Sequence, residues 1–176
     1  EFEKIKTLDP NLRRVPKERL IEAIRETEIR QSLNRTISTF QWKERGPSNV
    51  AGRTRAIMFD PNDPQSKKLW AGGVTGGLWY TDDITSSAPT WNKVDDIWAN
   101  LAISSITYDP TNPNIFYVGT GEIYANVSRG FGLWKSEDGG SSWQHLPNTE
   151  NFYYVNDIVV RDENDQGVLY VGTGLD

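Results

Sequence analysis

The strongest constraint on the fold of this chain is an internal repeat with a spacing of about 50 residues. The stretch RAIMFDPNDPQSKKLWAGGVTGGLWYTDD aligns with SSITYDPTNPNIFYVGTGEIYANVSRGFGLWKSED further along the chain. Asp60-Pro61 recurs 49 positions later as Asp109-Pro110, and Gly119-Thr120-Gly121 recurs 53 positions later as Gly172-Thr173-Gly174. The chain is therefore expected to fold as successive copies of one small unit.

Each copy consists of short runs with β character, separated by turn residues. The first strand is expected at RTRAIMFD, SSITYD and VNDIVVRD, and the second at KLWAGG, IFYVGTG and VLYVGTG. GLWYTD and GLWKSED predict a third strand, and TWNKVD and SWQHLP a fourth. Four short strands at this period are typical of β-propeller blades. The sequence thus predicts an all-β fold with about two and a half four-stranded blades, at about 52–101, 102–152 and 153–176, the last incomplete.

The amino-terminal residues differ in character from the repeats. Residues 1–45 carry most of the helical signal, and they predict a helical extension ahead of a partial propeller at 46–176. A helix is expected over roughly 17–33, because Pro16 suits a first helical turn and apolar residues recur at helical spacing. These apolar positions are Leu20, Ile21, Ile24, Ile29 and Leu33. Such a helix either packs its apolar face on the rest of the chain or serves as a partner-binding or pro-segment helix.

Composition excludes several kinds of site. The formal net charge of the 176 residues is −5, with acids and bases interspersed, which argues against nucleic-acid binding. The sequence has no run of about 18 apolar residues, so we predict no membrane span. The chain has no cysteine and a single histidine, His145, so a thiolate or histidine metal site is not expected. We predict no metal and no cofactor.

The stretch GLWKSEDGGSSWQHL contains the pattern S-x-D-x-G-x-x-W at Ser136, Asp138, Gly140 and Trp143. An aspartate in the turn between strands three and four can accept hydrogen bonds from nearby backbone N–H groups. Glycine permits positive φ, and the tryptophan can fold back as an apolar lid. The pattern resembles the Asp-box (BNR repeat) of sialidases, sortilins and bacterial secreted propellers. That resemblance implies a structural corner away from the ligand face.

A wider resemblance covers about residues 42–176. The segments ERGPSNVAGRTRAIMFDPNDP and NLAISSITYDPTNPNIFYVGTGE are similar to the opening blades of large extracellular proteins of Bacteroidetes. Those proteins combine propeller repeats of the sortilin and glycosidase-like type with a sorting domain read by the type IX secretion system. The resemblance implies a secreted or cell-surface protein that meets this secretion machinery, with periplasmic transit. No sorting domain is visible here, so we expect the chain to be the amino-terminal part of a longer protein.

Candidate binding residues lie on the face opposite the Asp-box turns, where propellers place the connections near the channel. The segment EIYANVSRGF, residues 122–131, replaces a shorter connection in the first copy, and insertions in such loops often carry function. The candidates are Arg53, Trp98, Asn100, Glu122, Tyr124, Asn126 and Arg129, with Arg55 beside them. The alternative is a variable loop whose aromatic residues pack locally.

Two classes of function fit these features, besides a passive scaffold. The first is a non-catalytic secreted propeller that binds or adheres to a glycan or surface protein. The second is a sialidase- or xyloglucanase-like glycoside hydrolase, for which Asp95, Asp96 and Glu122 are carboxyl candidates by position only. A sialidase would also need an arginine cluster and a tyrosine nucleophile, and Arg53 with Arg55 is insufficient. We therefore favour binding and assign no catalytic residue.

Overall fold

The structure is a computed structural model. It describes residues 8–14, 16, 19–33, 53–94, 102–124 and 128–174. The chain divides into two compact units, Glu1–Val50 and Ala51–Asp176. The boundary predicted between residues 45 and 46 lies outside the described residues.

Among its described residues, the amino-terminal unit contains the helix α1 (Leu20–Leu33). Glu26 and Arg30, one turn apart in α1, form an ion pair, as their spacing favours. Ile29 on the predicted apolar face is exposed. The side chains of the other positions on that face lie outside what the structure describes.

The second unit is built from antiparallel sheets. The first sheet has the order β1 (Thr54–Phe59), β2 (Leu69–Gly73), β3 (Gly77–Thr81), β4 (Asn92–Lys93). The second has the order β5 (Ile103–Asp109), β6 (Asn112–Thr120), β7 (Leu133–Ser136), β8 (Gln144–His145). After a 3₁₀ turn at Pro147–Thr149, β9 (Val155–Asp162) pairs with β10 (Gly167–Thr173). Two four-stranded meanders and a two-stranded hairpin therefore follow the repeat in order.

The sheets pack face to face, with their first strands adjacent. β1 contacts β5, and β5 contacts β9. One core cluster lies between the first two sheets and a second lies between the last two. The first cluster includes Met58, Trp70, Ile103 and Phe116, and the second includes Tyr117, Leu133, Val155 and Ile158. The middle sheet, β5 to β8, therefore buries both of its faces.

Two equivalent glycines set how closely the sheets approach. A Cβ placed on Gly72 in β2 would lie 2.4 Å from Cγ2 of Ile103, at the start of β5. A Cβ on Gly119 in β6 would lie 2.5 Å from Cγ1 of Val155, at the start of β9. Strand glycines commonly mark such a close approach. The same repeat position thus makes the same contact at both interfaces.

The prediction of a largely β fold with antiparallel four-stranded sheets is confirmed. The strand positions follow the repeat copy by copy, and the third copy contributes two strands among the described residues. No sheet in the described part of the chain closes on itself.

Candidate functional site

The inserted loop at 122–131 follows β6, and its described residues are paired at the base of the loop. Gly121 adopts a φ of +102° and donates its N–H to the carbonyl of Ala102 at 2.9 Å. Glu122 and Ser128 then exchange backbone hydrogen bonds of 2.8 and 2.7 Å. These bonds fix both ends of the loop beside the first strand of its own sheet. Its tip, 125–127, lies outside the described residues.

Glu122 lies at the centre of a charged cluster that joins the first two sheets. Its side chain is 1% exposed, and its Oε2 lies 3.5 Å from both Arg53 Nη2 and Arg55 Nε. Its Oε1 accepts the backbone N–H of Tyr124 at 2.7 Å. Because a buried carboxylate is costly without partners, these contacts account for its placement. The glutamate therefore positions the two arginines and the start of the loop.

Aromatic rings flank the arginines. The Arg55 guanidinium lies 4.7 Å from the ring centroid of Tyr124, a residue that is 67% exposed. Arg129 lies 3.6 Å from the ring centroid of Tyr153, and the N–H of Gly130 donates to the Tyr153 carbonyl at 2.6 Å. Cation–π contacts of this kind hold guanidinium groups in place. The result is a surface that combines guanidinium groups with an accessible aromatic ring.

The structure brings together three of the seven binding candidates, Arg53, Glu122 and Tyr124, with Arg55 beside them. Arg129 instead contacts the ring of Tyr153. Trp98, Asn100 and Asn126, and the carboxyl candidates Asp95 and Asp96, lie outside the described residues. Sequence reasoning missed Tyr153. No local signal marked it, because it precedes β9 and reaches Arg129 only through the packing of the chain.

The turn between β7 and β8 is held by side chains of the S-x-D-x-G-x-x-W pattern. Asp138 Oδ1 accepts the backbone N–H of Ser142 at 2.8 Å, and Oδ2 accepts the Ser142 hydroxyl at 2.6 Å. The Ser136 hydroxyl donates to Asp138 Oδ1 at 2.9 Å and accepts the N–H of Gly140 at 2.8 Å. The Ser142 hydroxyl, followed by the Ser142 N–H and the Ser136 hydroxyl, lowers the pKa of Asp138 to about 2. Asp138 is thus an ionised acceptor within the turn.

The same turn packs against the first sheet. Gly139 and Gly140 adopt φ of +67° and +88°, and a Cβ on Gly140 would lie 2.4 Å from Cη2 of Trp70. Trp143 donates its indole N–H to the Gly140 carbonyl at 3.0 Å and meets Trp70 edge to face, with ring centroids 6.3 Å apart. These contacts stabilise the turn and the interface between the two sheets.

The residues that the structure describes lack two other features. They contain no group of three or more histidine, cysteine, aspartate or glutamate side chains that could hold a metal ion. None of the helices that they form has the length and apolar character needed to cross a membrane.

Comparison with known proteins finds a partial similarity to a glycoside hydrolase. The chain is 30% identical over 104 residues to a probable oligoxyloglucan-reducing end-specific xyloglucanase of Neosartorya fischeri. The match covers 57% of this chain but only 12% of the relative. No protein family model matches the chain.

Proposed function

We propose that the repeat region forms consecutive blades of a β-propeller whose loop at 122–131 binds a glycan. The propeller is supported by antiparallel meanders that pack first strand against first strand, as blades do around an axis. The recurrent close approach at Gly72 and Gly119 supports one packing geometry repeated along the chain. In this arrangement, the turn at Asp138 is an Asp-box with a structural role.

Glycan binding rests mainly on the exposed ring of Tyr124 beside a cluster of ion-paired side chains. The ring lies against Arg55, and the buried Glu122 carboxylate lies 3.5 Å from both Arg55 and Arg53. Aromatic rings pack on the apolar faces of sugars, and guanidinium groups donate to their hydroxyls. The similarity to a protein whose name specifies a xyloglucan substrate also favours a glycan over a protein ligand.

The test is a glycan-binding screen of the purified chain, followed by calorimetry on variants. Tyr124→Ala should weaken binding by about 1–3 kcal/mol, as expected for truncating a central aromatic contact. Tyr108→Ala is the matched control, because Tyr108 is also exposed but lies near the opposite end of β5. Ser136→Ala, in the turn, reports on the other face. Loss of binding in Ser136→Ala, with Tyr124→Ala unchanged, would reject the assignment of the binding face.

A glycoside hydrolase is the second candidate, favoured by the xyloglucanase similarity. Hydrolysis requires two suitably placed carboxyl groups that reach the sugar. Glu122 is a poor candidate for either one, because its side chain is buried and held by two arginines. An enzyme would therefore use other carboxylates. Release of reducing ends from xyloglucan oligosaccharides, measured with the same preparation, would establish this second function.

We also propose that the protein is exported by the type IX secretion system and acts at the cell surface or outside the cell. This proposal rests on the resemblance of the repeats to Bacteroidetes extracellular proteins. Fractionation of a producing bacterium tests it directly. Retention in the cytoplasm would contradict it.

A further inference from the structure

The charged cluster around Glu122 has more positive than negative charge. Among the residues that the structure describes, the guanidinium groups of Arg53 and Arg55 both lie 3.5 Å from one carboxylate, that of Glu122, so these three side chains carry a net positive charge. Glu122 Oε2 lies 3.5 Å from each arginine yet accepts no hydrogen bond from any residue that the structure describes. The guanidinium N–H groups are therefore not used by the glutamate. The Arg53 and Arg55 side chains are 49% and 30% exposed, so a ligand can reach them.

A carboxylate is the ligand group that this arrangement favours. Guanidinium N–H groups match carboxylate oxygens in geometry, and charge makes such hydrogen bonds stronger than neutral ones. The Tyr124 ring, against Arg55, offers a surface for the body of the same ligand. An acidic sugar is a compact ligand that combines a carboxylate with an apolar ring face.

We propose that Arg53 and Arg55 bind the carboxylate of a uronic acid residue while Tyr124 packs against its sugar ring. This rests on the proposed glycan binding and specifies its ligand class. Glu122 has two opposite effects here. It holds the arginines in position, but its negative charge repels the ligand carboxylate. The buried glutamate thus sets the affinity for an anion without contacting it.

The experiment compares tetragalacturonic acid with its methyl ester, which keeps the sugar and removes the charge. Calorimetry at low salt should show about tenfold tighter binding of the acid, the value of one charge-assisted hydrogen bond. Added salt should reduce this preference because it screens charge. Arg53→Gln should abolish most of the preference. Arg161→Gln, which changes an exposed arginine on β9 outside the cluster, should leave it intact.

Glu122→Gln gives the sharpest test, because the predicted change is a gain. Glutamine keeps an oxygen to accept the Tyr124 N–H but carries no negative charge. The affinity for the acid should rise by about three- to tenfold, as expected when one like charge near the bound carboxylate is removed. The affinity for the ester should stay the same. Should this variant misfold by circular dichroism, Arg53→Gln against Arg161→Gln decides the question.

The outcomes separate this inference from the proposed function. Equal binding of acid and ester overturns the carboxylate site but leaves glycan binding in place. Binding to no glycan rejects both proposals. Tighter binding of an acidic peptide than of the uronate would overturn the sugar assignment in favour of a protein ligand.

Discussion

Replacing Gly140 with alanine should destabilise the protein mainly through one contact with Trp70. The new Cβ would lie 2.4 Å from Cη2 and 2.6 Å from Cζ2 of that ring. Neither partner can move easily. The Gly140 N–H and carbonyl are both hydrogen-bonded, and the Trp70 indole is buried and donates to Asp60 at 3.0 Å. Overpacking of this kind costs about 1–3 kcal/mol.

Gly139→Ala is a matched control for the backbone part of the effect. Gly139 also has positive φ, but a Cβ there would meet only the side-chain amides of Asn62 and Asn114, at 3.6 and 3.8 Å. Both substitutions carry the cost of about 1 kcal/mol for alanine at positive φ, and both reduce the freedom of the unfolded chain. The difference between them therefore isolates the contact with Trp70. We expect Gly140→Ala to lose about 1–3 kcal/mol more than Gly139→Ala.

Urea unfolding, followed by fluorescence and circular dichroism, measures both free energies. The same glycine substitutions are also compared in the Trp70→Phe variant, because phenylalanine lacks the two ring atoms that the new Cβ would meet. In that background, the cost of Gly140→Ala should fall to that of Gly139→Ala, which a double-mutant cycle reports as a coupling free energy. Equal losses for the two glycine variants, or no change in the Trp70→Phe background, would refute the reasoning.

Two further predictions concern the sheets and the turn. Gly119→Val should lower the free energy of unfolding by at least about 1–3 kcal/mol because the new side chain meets Val155. Gly172→Val should be nearly neutral in this chain, since the atoms nearest to a Cβ there lie 3.8 Å away. Equal losses of stability in urea unfolding would contradict the packing argument. Asp138 should titrate near pH 2 by carboxyl NMR. Because the pKa of Asp138 is lowered on folding, its contribution to stability should be complete above its ordinary pKa of 3.8 and lost as the pH falls through about 2. Asp138→Asn should remove this pH dependence. Titration of Asp138 near 3.8 would show that the turn does not stabilise the carboxylate.

Several features followed from the sequence because they are local. Repeated short runs with turn residues between them predicted the four strands of each of the two four-stranded sheets. The same holds for the turns after β1 and β5, where Asp60 and Asp109 accept the N–H groups of Asn62 and Thr111, both at 2.9 Å. Side chain and backbone lie within a few residues of each other there, so residue type alone determines the hydrogen bond.

The candidate site was only partly predictable. The length of the loop at 122–131 marked it as an insertion, and its polar and aromatic composition suggested binding. Its charge arrangement was not visible, because Arg53 and Glu122 are distant in sequence and meet only when the first two sheets pack. The burial of Glu122, which makes it a positioning group and a poor acid catalyst, is also a property of that packing.

The sequence by itself determined the repeat, the strands and the residues able to form each turn, since these depend on periodicity and on backbone preferences within a few residues. Only the tertiary structure decided what the glycines and charges do. Gly72, Gly119 and Gly172 occupy one position of the repeat. A side chain of the next sheet packs closely against the first two, whereas a Cβ on the third would meet only the Asp157 backbone, at 3.8 Å. The physical reason is that close approach, burial and ion pairing depend on which sheet lies opposite, and that depends on residues some 30 to 70 positions away along the chain.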